Sequence, residues 1–215
     1  MKHILLLIIP VLLLLSGCNN SNPKPDKIYQ SNPQYTWGYV LYFADYYSNV
    51  GIENNVVSLS LFTENMKVEN GSLSGMGQYL YLEEICLTPT DTILPTGLYT
   101  LNDTREPMTA LPGQVPEEYP YTIIGANITY VDDDGVEYML IKEGSFTVHS
   151  ASDDGEGYYD YHITFDFVTT RNMALKGEFN GKLFWQDYQR QNTEPEEQGV
   201  RFLESRAKNH ESRRF

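Results

Sequence analysis

The chain reads as an all-β protein, a single antiparallel β-sandwich of about nine strands, with a lipocalin-like closed barrel as the alternative. Three observations lead there. Apolar and polar residues alternate in short runs between residues 35 and 185, Gly, Pro, Asn and Asp collect between the runs, and helical spacing is nearly absent.

The first element stands outside the sandwich. Lys2 and His3 precede an apolar run from Ile4 to Leu15, and Ser16 and Gly17 lead to Cys18. A charged start, an apolar stretch and small residues before a cut make a secretory signal over residues 1–17, too short to span a bilayer of roughly 30 Å comfortably. Leu15-Ser16-Gly17-Cys18 resembles the bacterial lipobox, whose cysteine is acylated and becomes the mature N-terminus. That resemblance makes Cys18 the lipidation site and the membrane a partner through acyl chains. Residues 18–34 continue as a polar tether with Pro23 and Pro25.

The sandwich domain spans residues 35–185. Tyr35 to Phe43, Val56 to Phe62, Tyr79 to Leu87 and Leu98 to Leu101 are expected strands, the last launched by the turn Leu94-Pro95-Thr96-Gly97. Gly71 to Gly77 reads as a flexible glycine-rich turn. Residues 102–120, with Pro107, Pro112, Pro116 and Pro120, read as one long irregular loop. Ile128 to Val131 and Val136 to Ile141 flank Asp132-Asp133-Asp134-Gly135, a hairpin signal. Phe146 and Val148, then Tyr159, Tyr161, Ile163, Phe165 and Phe167, then Leu175 and Phe179 take one face of an antiparallel meander, with turns at residues 152–157 and 170–172. Residues 186–215 form a polar tail, disordered in character or weakly helical.

Composition excludes some functions. Residues 19–185 carry 23 Asp or Glu against 8 Lys or Arg, while the tail carries 6 of each. An acidic body repels nucleic acid and anionic headgroups, so no nucleic-acid partner is expected and attachment falls to the lipid. With Cys18 acylated, Cys86 remains alone in the apolar run Ile85-Cys86-Leu87 and reads as a buried thiol. No nucleophile elbow, phosphate loop or spaced catalytic set occurs, so the chain is expected to be noncatalytic and to need no cofactor.

The enriched chemistry is aromatic, with seventeen Tyr and two Trp. Tyr46, Tyr47, Tyr119, Tyr121 and Tyr158 fall at strand ends or in loops, where flat faces with a polar handle suit a sugar or a protein partner. Asp132 and Asp134 in the hairpin turn, and Asp160 and His162 on the outward meander face beside His149, Asp166 and Glu178, are weaker candidates for metal ligation. Asp-Gly turn chemistry accounts for the first pair, and charge pairing with Lys176 and Lys182 for the second.

The lipobox, the strand after Leu94-Pro95-Thr96-Gly97-Leu98-Tyr99, and the segments Gly144-Ser145-Phe146-Thr147-Val148, Tyr161 to Phe167 and Leu175 to Gly181 together resemble a family of small uncharacterised outer-membrane lipoproteins of gut Bacteroidetes. The resemblance implies an antiparallel β fold on the outer membrane and supplies no catalytic residues. Surface-displayed members of that group often carry acids directly after the lipidated cysteine. Here Asn19-Asn20-Ser21-Asn22 follow, which leaves the periplasmic and surface sides both open. The resemblance also makes Thr92, in Asp91-Thr92-Ile93, a candidate for O-glycosylation. The function expected is a lipid-anchored envelope binding protein for a glycan. Two alternatives stand beside it: a structural or adhesive subunit binding an envelope protein, and a carrier of a small apolar ligand should the sheet close.

Overall fold

A computed structural model describes residues 29–69, 72–133 and 135–188. Cys18, Asp134, the signal segment and the tail beyond Tyr188 lie outside the described residues. The strands are β1 (Tyr35–Ala44), β2 (Val56–Thr63), β3 (Lys67–Glu69), β4 (Ser72–Ser74), β5 (Gly77–Cys86), β6 (Gly97–Leu101), β7 (Thr109–Ala110), β8 (Asn127–Asp132), β9 (Gly135–Asp153), β10 (Tyr158–Thr169) and β11 (Ala174–Asp187). The all-β reading holds.

Nine strands form one mixed sheet in the order β10-β11-β1-β2-β5-β7-β6-β9-β8, and β3 and β4 make a separate hairpin. Further pairings, β9 with β10 and β5 with β8, fold the sheet back over one core. The result is sandwich-like, not a closed barrel, and its inward positions are filled by side chains. Tyr99 and Phe146 stack at 4.6 Å, Phe165 and Phe167 at 5.9 Å, and all are buried with Leu59, Leu80, Ile128, Tyr161 and Phe179.

Four details differ from the expectation. The sheet is mixed rather than purely antiparallel, because β1 runs parallel to β11 (Tyr39 beside Phe184, Leu41 beside Gln186) and β6 parallel to β7. Val136 to Ile141 and Gly144 to His149 are one strand of 19 residues, not two. Gly144 within that strand is there for close approach: a Cβ on it would lie 2.2 Å from the Asp166 carbonyl, at φ +126. The glycine-rich turn contains β4, and the long loop is divided by β7 into excursions 102–108 and 111–126.

The outward face of β1, β2 and β5 is aromatic as well. Trp37, Phe62 and Tyr79 stack side by side at 4.0 and 4.5 Å, both pairs 10° from parallel, packed with Met66 and with Val68 and Leu73 of the β3–β4 hairpin. The sheet thus has apolar contact on both sides, which is why every residue of β2 is buried.

Truncating Phe146 to Ala should cost about 3–5 kcal/mol, the range for a buried aromatic whose neighbours cannot collapse into the gap. Urea unfolding with the m-value held constant measures it.

Candidate functional site

The outermost end of β5 breaks its own alternation. Val57 faces Ile85 and Leu59 faces Leu82, so Glu83 and Glu84 together oppose the single residue Ser58. Two adjacent glutamates in a strand whose other faces are Tyr79, Leu80, Tyr81 and Leu82 can keep out of the core only by such a bulge. Glu84 takes φ 50 there. Ser58 is fully buried and its hydroxyl has no hydrogen-bond partner among the described residues, a condition that costs about 1–3 kcal/mol.

Around this bulge the chain gathers polar and aromatic groups. Arg105, from the 102–108 excursion, places Nε 3.2 Å from Glu84 Oε2 and lays its guanidinium 4.6 Å from the centre of the Tyr47 ring. Asn54 Nδ2 donates to the Arg105 carbonyl at 2.6 Å and fixes that loop. Glu83 accepts the Gly125 N–H at 2.8 Å, and the Glu84 carbonyl accepts from Leu111 N–H. Tyr46, 61% exposed, meets Tyr47 edge to face at 4.9 Å and Phe43 at 6.1 Å, and Phe43 meets Tyr188 at 5.1 Å.

Electrostatics follow the geometry. Burial, then the hydrogen bond and charge of Glu84, hold the Tyr47 hydroxyl far above its ordinary range, so it donates to that carboxylate. For Arg105, burial opposes the charge, but Glu84 and Tyr47 outweigh it and raise its pKa. Burial, with Glu84 second, pushes the Cys86 thiol up to about 11.

The corner is also where the backbone is strained. Ala44, Glu84, Arg105 and Met108 have φ of 50, 50, 57 and 67. They are neighbours: Ala44 pairs with Val56, Val56 with Cys86, and Met108 N–H donates to the Cys86 carbonyl at 2.8 Å. A left-handed non-glycine residue costs roughly 1–2 kcal/mol, and such residues collect where function fixes the backbone.

The structure brings together Tyr46 and Tyr47 of the expected residues. Tyr119 and Tyr121 stand exposed on the 111–126 excursion, beyond the Gln114–Ile124 bridge, and Tyr158 pairs with Phe184 at 5.3 Å. Asp132 Oδ1 accepts the Gly135 N–H at 3.0 Å, as a turn requires. Asp160 pairs in register with Lys182, while His162 lies 3.6 Å from Glu178 and its ring 4.7 Å from that of His149. Among the described residues no three His, Cys, Asp or Glu side chains converge to hold a metal ion. Thr92 is exposed, and its carbonyl accepts from Trp185 Nε1 at 3.0 Å. Ser58, Glu83, Glu84 and Arg105 were missed in the sequence; the one signal for them is the Glu83-Glu84 pair that interrupts strand alternation.

Two outcomes are expected. Ala44→Gly removes a left-handed penalty and should raise stability by up to about 1 kcal/mol, net of the glycine's entropy, in thermal unfolding. In a Cys18→Ser chain, Cys86 should resist alkylation at pH 8 until denaturant is added. Its raised pKa keeps the thiol neutral, so this contribution to stability is whole below the ordinary thiol range and fades as pH climbs toward about 11.

Compared with family models, curated proteins and solved structures, the chain matches none.

Proposed function

We propose that the protein is a noncatalytic binding lipoprotein of the bacterial outer membrane, held by an acylated Cys18, and that its ligand is a glycan taken up at the β5 bulge. One observation carries the reading. Glu84, Arg105 and Tyr47 form a hydrogen-bonded, partly dehydrated triad beside the exposed ring of Tyr46. A charged fork that grips hydroxyls, next to a flat apolar face that stacks on a ring, is the pairing sugar recognition needs. The strained backbone supports it, since the triad depends on Glu84 and Arg105 keeping left-handed conformations.

The bulge also lies far from the first described residues. The described chain enters where Tyr29 donates to the Ala174 carbonyl and Gln30 bonds Gln78, beside the starts of β11 and β5. The triad sits past the far end of β1, about 30 Å along the strand.

The detergent-solubilised full chain, applied to a glycan array, should bind carbohydrate. Replacing Tyr46 and Tyr47 together by Ala, or Arg105 by Ala, should weaken the best hit about thirtyfold, near 2 kcal/mol for a hot-spot side chain. Unchanged affinity with intact folding removes the corner as the site. Separately, Cys18→Ser should shift the protein from the membrane pellet to the soluble fraction.

A further inference from the structure

Because β1 and β11 run parallel, their outward side chains fall into two matched files. Tyr39 lies beside Phe184 and Leu41 beside Gln186, and Phe43 meets Tyr188 at 5.1 Å. The first pair is extended sideways by Tyr158, 5.3 Å from Phe184, and the last runs on through Tyr46 to the Tyr47–Arg105–Glu84 triad. From Tyr39 to Phe43 is four residues of strand, about 13 Å. Tyr158 and Phe184 are 41% and 42% exposed.

We infer that this lane is an extended subsite, and that the glycan read at the bulge is a linear, uncharged chain of several sugar units lying along β1 and β11 with one end at Arg105. The inference rests on the glycan reading of the bulge and specifies its substrate. Its first support is continuity: the aromatic lane ends on the polar triad instead of stopping at a strand edge. The second is chemistry. The six side chains of the two files are all uncharged, and their tyrosine hydroxyls and the Gln186 amide border apolar faces, which matches the alternation of hydroxyl edges and apolar ring faces along a sugar chain. The third is charge. The chain carries a formal net charge of −14, which disfavours uronic or sulfated polymers and leaves neutral ones. A lane longer than one ring also fits a chain better than a monosaccharide, since successive rings add contacts without a second loss of translational freedom.

The test uses the full chain in detergent and calorimetry with ladders of one to six units from neutral glucan, xylan, mannan and galactan. One ladder should gain about tenfold in affinity as units are added until the lane is filled, then level off. Phe184→Ala and, separately, Tyr158→Ala should remove that gain while leaving the shortest ligand's affinity unchanged. Both residues are exposed, and circular dichroism confirms that each variant folds. Binding that depends on Arg105 but is flat with length overturns the lane and leaves the bulge reading standing. Length dependence that Phe184→Ala and Tyr158→Ala both leave intact overturns the lane's position. No binding by any ladder, or release of a co-purifying protein by Phe184→Ala in its place, removes the glycan reading and the lane with it.

Discussion

The architecture depends on one long strand changing partners without losing hydrogen bonds. β9 pairs with β8 over its first six residues, then with β6 on one side and β10 on the other, and a sheet can make that change only where the backbone bends. Gly144 sits at the bend, with the Asp166 carbonyl so close that no side chain fits. Everything that buries Phe146, Phe165 and Phe167 follows from this turn of direction, because it brings the two halves of the sheet over one another.

The same economy shapes the corner that carries the proposed site. A strand that carries two adjacent glutamates cannot keep regular alternation against an apolar core. The bulge turns both carboxylates outward, and each then finds a partner from a different loop, Arg105 for one and the Gly125 amide for the other. The loops on either side of β7 are thereby tied to β5, which makes rigid positions out of segments that composition alone marks as irregular. The cost is four left-handed residues and an unpaired serine hydroxyl, and the surrounding sheet holds them in place.

Much of the fold was legible because alternation is strong wherever one face is core and the other is water. Tyr35, Val56, Asn127 and Tyr158 begin strands within a residue or two of the expected limits. What could not be read was pairing between distant segments. Nothing local in Tyr35 to Phe43 indicates a parallel neighbour 145 residues away, and a two-residue strand such as β7 has no period to detect. The site was half legible for the same reason. Tyr46 and Tyr47 drew notice as loop aromatics, but Arg105 and Glu84 acquire meaning only when β7 and β5 bring their loops together.

The side-by-side placement of the first and last strands governs how the chain reaches its native state. β1 cannot complete its outer edge until β11 exists, so the sheet closes on contacts of very long sequence separation, and loop entropy must be lost before those contacts repay it. Contacts of that separation raise the contact order, which slows folding, and a chain cut short before Ala174 leaves an open strand edge with Trp37 and Tyr39 beside it. Such a fragment is a substrate for aggregation or proteolysis rather than a smaller stable domain.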